Sequence, residues 1–171
     1  MRATEILKQE HQVVLGVVDA AEDEVGRIRE TGEVDTEKIA KMVGFFREFV
    51  DACHHHKEEK HLFPKLRERG MSLKVGPVAV MLHEHEEGRK LVGAIEDALG
   101  DFVKGDKGRA KDVADNLAAY MELLRAHIQK EDEVLFAMAD DRLTDDDDEA
   151  LQAGYDEDEM HDTGQGVHEK Y

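Results

Sequence analysis

The chain has 171 residues and a formal net charge of −18 at pH 7, a length that suits one domain with a hydrophobic core and is short for two. The negative charge disfavours nucleic acid and anionic membrane surfaces as partners. No apolar run approaches the roughly 20 residues of a membrane span, and the first residues lack a secretion signal, which predicts a soluble cytoplasmic protein. Abundant Glu, Lys, Ala and Leu, with two prolines and no tryptophan, predict an all-α fold.

The first two predicted helices carry apolar stripes that polar residues interrupt. The first helix ends at Gly32 and has His11 on its stripe, as the alternating spacing of three and four apolar residues indicates. The second helix begins near Thr36, and its stripe runs on into His54 and Glu58. Because a polar group on a buried face needs a partner, these positions are candidates for a functional site.

The third and fourth predicted helices repeat this feature. The third begins at Pro77, which suits the first turn of a helix, and has His85 on its stripe. The fourth follows Gly108 and has His127 and Glu131 on its stripe. An antiparallel up-down-up-down four-helix bundle would bring these side chains into one layer.

The composition changes after the fourth helix. Residues 1–143 are predicted to form the bundle, and residues 144–171 an acidic C-terminal extension that contains the run from Asp145 to Asp148. Such a run usually stays in water, so we expect a solvated tail with at most a short helix around Glu149 to Gly154.

Two segments of the chain share an eleven-residue pattern, HHHKEEKHLFP from His54 and HIQKEDEVLFA from His127. Residues four apart are neighbours on a helix, so Glu58 lies beside His54 and Glu131 beside His127. Each pair has the spacing of a metal-binding clamp. The single cysteine, Cys53, excludes an internal disulfide and a cysteine-based metal site, so any metal must bind histidine and carboxylate ligands.

The alternative interpretation is that these residues are core histidines and surface glutamates. Burying uncompensated carboxylates costs several kcal/mol, however, and the coincidence would have to occur on four helices. Four histidines and two glutamates exceed the four ligands of a structural zinc site and suit a pair of metal ions. Mixed imidazole and carboxylate ligands favour iron, then manganese or zinc.

The motifs resemble those of the hemerythrin HHE cation-binding family over roughly residues 4 to 142. The matching segments are the EH that ends at His11, the segment His54 to Pro64, the Glu84-His85 pair and the segment His127 to Phe136. The resemblance implies two non-haem iron ions bridged by an oxo or hydroxo group. The implied ligands are His11, His54, Glu58, His85, His127 and Glu131.

The sequence departs from the oxygen-carrying members of this family at one ligand. Their fifth histidine lies one turn from the helix-three ligand, but Met81 and Arg89 occupy the two corresponding positions here. Two replacements are open: His55, although adjacent residues on a helix point about 100° apart, and His168 in the extension.

The identity of the second bridging carboxylate is also open at this stage. Asp132 has the five-residue offset from His127 that the oxygen carriers use, whereas Glu131 repeats the offset of Glu58. We prefer Glu131. Glu58 and His61 also match the Glu-x-x-His element of ferritin-like oxidases, but Val134 stands where the fourth helix would need the matching histidine.

Other residues receive structural interpretations. His61 lies about 10 Å along the axis from His54, so it is expected to support the site or the core. His56 and His83 are expected at the surface, and Cys53 in the core. Tyr120 is expected to line the pocket beside the metals.

These features predict a binding protein for dioxygen, or for nitric oxide or peroxide, that serves sensing, storage or protection. The alternative is a di-iron enzyme that decomposes peroxide or acts on nitric oxide, because fewer histidine ligands leave more room for exchangeable ligands. Iron storage or sensing is a further alternative. Whether the protein is an enzyme stays open, and the sequence identifies no protein partner.

Overall fold

The computed structural model describes residues 1–161, which form helices joined by short connections and contain no strand. The α-helices are α1 (Ala3–Thr31), α2 (Thr36–Phe45), α3 (Phe63–Glu68), α4 (Pro77–Val103), α5 (Ala110–Lys130), α6 (Phe136–Arg142) and α7 (Asp145–His161). The predicted all-α fold is confirmed. None of the described helices is both long and apolar enough to cross a membrane.

Three π-helical segments join α-helices into longer rods. Phe46–His55 and Glu58–Leu62 connect α2 to α3, and Glu131–Leu135 connects α5 to α6. We call residues 36–68 the second rod and residues 110–142 the fourth rod, with α1 and α4 as the first and third. All three segments contain or adjoin candidate ligands, and π-helical turns occur often at functional sites.

Local sequence signals explain where the rods begin and end. Gly32 follows α1 in the left-handed conformation, with φ of 73°, and its amide donates to the carbonyl of Ile28. The side chain of Asp35 caps α2 by accepting from the Lys38 amide. Pro64 does not end the second rod, because it lies in the first turn of α3, where proline is tolerated.

Two hydrophobic clusters fill the interior, and the candidate ligands lie between them. In the first rod, for example, Leu7 belongs to one cluster and Val14 to the other, with His11 between them. In the fourth rod, the ligands come between Leu124 and Leu135 in the same way. The apolar side chains on both sides therefore shield the layer of ligands from water.

Helix α7 corrects the expectation of a solvated acidic tail. It extends over 17 residues, from Asp145 to His161, and buries Leu151 and Tyr155 in the cluster that contains Leu7. Gly154 lies so close to the second rod that a Cβ atom there would approach the His61 ring to 2.8 Å. The spacing of Leu151 and Tyr155 gives the helix one apolar edge.

Several acidic side chains of α7 pair with basic groups rather than with solvent. Both oxygens of Asp147 accept from Arg69 at 2.7 Å, and Asp158 pairs with Lys60 and His61. Acidic side chains near both ends of α7 thus form ion pairs with other parts of the chain. The rest of the predicted extension, residues 162–171, lies outside the described residues.

Replacing Leu151 with alanine tests whether α7 is part of the folded core. We expect the free energy of unfolding to fall by about 2–5 kcal/mol, because the side chain is 3% exposed and its loss leaves a cavity. Met160→Ala is the matched control, since Met160 is 66% exposed on the same helix. Urea unfolding measures both variants; equal stability of the two would mean that α7 is a solvated tail after all.

Candidate metal centre

The structure brings seven predicted ligands into two adjacent groups. In each group, one nitrogen or oxygen atom of every residue lies within 4.8 Å of the others. The first group is His55, Glu58, His85 and His127. The second is His11, His54 and Glu131. All seven side chains are buried and come from four different rods.

The atoms that face the centre lack hydrogen bonds. Both oxygens of Glu58 and of Glu131 are buried without a hydrogen-bond partner. The same holds for the Nε2 atoms of four histidines: His11, His54, His85 and His127. Buried polar atoms are rarely left unsatisfied, so this arrangement fits a cation that all of them coordinate.

The glutamates lie between the histidines of different rods. Glu58 Oε1 is 3.3 Å from His85 Nε2 and 3.8 Å from His54 Nε2. Glu131 Oε1 is 3.1 Å from His127 Nε2 and 3.3 Å from the Nε2 atom of the first-rod histidine, His11. Each carboxylate therefore reaches one histidine on its own rod and one on another, as a bridging ligand would.

The second rod turns His55 inward beside its neighbour, His54. The π-helical segment that ends at His55 has wider turns than an α-helix, so consecutive side chains point less far apart. The His55 ring is 5% exposed and stacks on His85 with 3.8 Å between the ring centroids. Of the two candidates for the missing fifth histidine, the structure places His55 with the ligands, whereas His168 lies outside the described residues.

Carboxylates hold the outer nitrogens of four ligand histidines in a closed ring around the rods. Each carboxylate is adjacent in sequence to a ligand on its own rod and bonds the histidine of the next rod. The Nδ1 contacts are His54 with Glu10 (2.9 Å), His85 with Glu59 (2.7 Å), His127 with Glu84 (3.0 Å) and His11 with Asp132 (2.7 Å). An Nδ1–H that donates to a carboxylate fixes the ring orientation and leaves Nε2 free to bind a metal.

Asp132 therefore lies outside the ligand layer. Its side chain is 27% exposed and accepts from His11, whereas Glu131 is fully buried and faces the centre. The geometry favours Glu131 as the bridge. His55 has a similar but longer Nδ1 contact with Asp51, at 3.4 Å.

The electrostatics of the centre also point to a missing positive charge. Burial, together with the nearby charge of Glu131, raises the pKa of Glu58 well above its usual value. Burial alone would lower the pKa of His127, but Glu131 and Glu84 outweigh it and raise the value to about 9. The same His127 charge lowers the pKa of Glu131 against its burial. Without a metal, protons must compensate the carboxylates.

A small cavity lies against the outer side of His55 and His85. It has about 10 Å³ of free volume, room for about one water molecule. Its lining residues are Phe46, Arg47, Asp51, His55, His85, Gly88, Arg89, Val92 and Tyr120. Tyr120 lies at the pocket beside the centre, as its place on the stripe suggested.

Three further histidines, His56, His61 and His83, lie away from the ligand atoms. His61 pairs with Asp158 of α7, and His56 Nε2 is 3.2 Å from the same carboxylate. The side chain of His83 is 73% exposed. Cys53 is buried in the core, where burial raises the pKa of its thiol to about 11, so it is a poor nucleophile at neutral pH.

The sequence interpretation missed the ring of carboxylates. Glu10, Glu84, Glu59 and Asp132 were visible as acidic neighbours of the ligands. Their partners are on other rods, however, and no local pattern identifies them. Their position next to a ligand, as in the EH and HEH segments and in the Glu58-Glu59 and Glu131-Asp132 pairs, was the available signal.

The helical fold and the buried histidine and carboxylate centre are typical of helical proteins that bind metal cations. Within this class, the hemerythrin HHE cation-binding domain matches residues 2–139. The chain belongs to this family.

Curated relatives give little functional detail. The chain is 25% identical over 134 residues to uncharacterised proteins of Mycobacterium tuberculosis and Mycobacterium bovis, an alignment covering 78% of this chain and 52% of each relative. It is 31% identical over 112 residues to the iron-sulfur cluster repair protein DnrN of Neisseria gonorrhoeae, covering 57% of this chain and 65% of that protein. The chain thus spans about half the length of the mycobacterial relatives.

Proposed function

We propose that this protein holds two non-haem iron ions and binds dioxygen, or another small ligand such as nitric oxide or peroxide, beside them. The observation that carries the proposal is the set of buried, unsatisfied nitrogen and oxygen atoms that face one another in two groups. One ion would bind each group, and Glu58 and Glu131 would bridge them. Imidazole and carboxylate ligands without thiolate suit iron, with manganese or zinc as alternatives.

We also propose that the four rods run up-down-up-down, as in other members of the class. Contacts between α1 and the fourth rod support this, because residues later in α1 contact residues earlier in the fourth rod. The contacts are His11 with Asp132, Glu22 with Arg125 and Arg29 with Asp115. Such an arrangement lets four separate stripes meet in a single layer of ligands.

The protein's own residues would orient the ligands and limit access. When bound, an iron pair supplies reversible electron transfer to a small ligand. The ring of carboxylates holds the histidines, and the hydrophobic clusters on both sides keep bulk water out. The cavity beside His55 and His85 has room for about one molecule of the size of water, which suits a small ligand.

Metal analysis with an optical spectrum tests the proposal. We expect two iron ions per chain, and a stable charge-transfer band when the reduced protein meets air. No iron, or about one zinc per chain, would overturn the di-iron centre. Immediate permanent oxidation would leave the centre standing but overturn reversible dioxygen binding.

His55 and His56 form a matched pair of neighbours for mutagenesis. His55→Ala should lower iron affinity about 10-fold to 100-fold, because the ring lies among the ligand atoms. His56→Ala should leave affinity unchanged, since that side chain is 34% exposed and faces α7. Chelator competition measures both. Equal affinity of the two variants would exclude His55 as a ligand.

The similarity to the iron-sulfur cluster repair protein of Neisseria gonorrhoeae favours a second candidate, in which the centre supplies or handles iron for cluster repair. Labelled iron distinguishes the two. Transfer of the label from loaded protein to a cluster-free iron-sulfur protein, with sulfide present, would support iron supply. Retention of the label through cycles of dioxygen exposure would support ligand binding.

A further inference from the structure

Tyr155 of α7 carries a buried polar group that no described residue satisfies. The residue is 1% exposed, and its hydroxyl has no hydrogen-bond partner. Leaving a buried hydroxyl unpaired costs about 1–3 kcal/mol, so such a group in a folded protein calls for an explanation. Helix α7 lies beyond residues 2–139, the part that matches the family.

The ring of Tyr155 lies next to the ligand layer. It packs in the cluster that contains Leu7, Leu62 and Leu135. Each of these leucines is four residues, about one helical turn, from a ligand on its own rod. The ring centroid is 5.9 Å from that of His61 and 6.0 Å from Lys57 Nζ. Tyr155 therefore closes the end of the bundle beneath the centre.

Negative charges surround Tyr155 in the interior. Burial raises the pKa of Tyr155 well above its usual value, and Glu58, Glu10 and Glu131 contribute further. The phenol therefore keeps its proton. It can donate a hydrogen bond to a carboxylate, which is an acceptor. The carboxylate oxygens of Glu58 and Glu131 are buried acceptors that lack a hydrogen-bond partner.

We propose that Tyr155 is a positioning residue of the metal centre: its hydroxyl donates a hydrogen bond to the carboxylate layer through one bound water or small oxygen ligand. A carboxylate oxygen has two lone pairs, so it can bind a metal and accept a hydrogen bond at once. The chain thereby adds a residue from α7 to the centre of the family domain. This inference rests on the proposed function, because the layer must hold metal.

Tyr155→Phe separates this role from a purely structural one. In the metal-free protein, the variant should unfold at the same temperature as the unaltered chain or a higher one, because only an unpaired polar group is lost. In the ferrous-loaded protein under argon, its iron affinity should fall about tenfold, as for other residues that support a ligand. Thermal unfolding and chelator competition measure the two effects.

Leu151→Ala is the control, because Leu151 belongs to the same cluster and has no polar atom. It should lower the unfolding temperature with and without iron and leave iron affinity unchanged. The inference is overturned if Tyr155→Phe lowers the unfolding temperature equally in both forms with unchanged affinity. If the unaltered protein binds no iron, the proposed function fails too. If it binds iron and only the Tyr155→Phe result is negative, the inference about Tyr155 fails alone.

Discussion

Replacing Glu58 with glutamine is expected to stabilise the metal-free protein and to remove its capacity for two ions. Glu58 is fully buried, and neither of its oxygens has a hydrogen-bond partner. Without metal, an ionised Glu58 would face the charge of Glu131 in a water-excluding core, so the folded protein must hold a proton on Glu58 at a cost in stability. A neutral amide of the same shape removes that cost, so the free energy of unfolding should rise by about 1–3 kcal/mol at pH 7.

The increase in the free energy of unfolding that Glu58→Gln gives the metal-free protein should become larger as pH rises. Because the folded-state pKa of Glu58 is raised, the folded protein keeps a proton that the unfolded chain has released above its ordinary pKa. The carboxyl therefore costs more stability as pH rises above that value, and glutamine avoids the cost. Urea unfolding of chelator-treated protein at pH 5 and pH 8 should show a larger difference between variant and unaltered chain at pH 8.

With iron present, the effect of Glu58→Gln on stability is expected to be the opposite. Glu58→Gln should bind one ion or none, and metal should stabilise it less than it stabilises the unaltered protein. Glu86→Gln is the control, since the Glu86 side chain is 62% exposed, and it should change neither property. A variant that is equally destabilised with and without metal would show that Glu58 is a structural hydrogen-bond acceptor instead of a ligand.

The clamps were visible in the sequence because their geometry is local. The offset of four residues between His54 and Glu58, and between His127 and Glu131, fixes the neighbourhood of each pair on any helix. Hydrophobic periodicity then placed both pairs on buried faces. The helix boundary at Gly32 was predictable for the same reason, because the left-handed conformation at a helix end depends on the identity of a single residue, usually glycine.

The inward direction of His55 could not be predicted in this way. The argument against it assumed α-helical rotation, and the second rod departs from that rotation over Phe46–His55. A π-helical turn has no simple sequence signature. Its stability depends on packing with other rods, in this case on the stacking of His55 against His85 of α4.

The packed helix α7 and the ring of carboxylates were missed because their partners are distant in sequence. An acidic run such as Asp145 to Asp148 is typical of a solvated segment. Here, however, Arg69, the residue that follows the second rod, lies within reach of Asp147. Composition describes what a segment prefers in isolation, whereas the partners available on the folded surface decide whether it packs.

Lys57 provides the second large expected effect, because its ammonium group is buried between two helices. The side chain is 1% exposed, and Nζ pairs with Glu10 of α1 and Glu159 of α7. Burial lowers the pKa of Lys57, but the attraction of Glu10 outweighs it and the net shift is upward. Lys57→Met should lower the free energy of unfolding by about 3–5 kcal/mol, because it removes the ammonium that pairs with the buried carboxylate of Glu10.

The same substitution should weaken metal binding, since Glu10 also holds the Nδ1 atom of His54. Arg69→Met is the control: the Arg69–Asp147 pair also joins the second rod to α7, but the arginine side chain is 40% exposed. Because this guanidinium is partly solvated, its loss should cost less than loss of the buried ammonium. Adding Glu10→Gln to Lys57→Met should restore part of the stability and none of the iron affinity. If Lys57→Met and Arg69→Met cost the same, the buried ammonium does not link α7 to the metal centre.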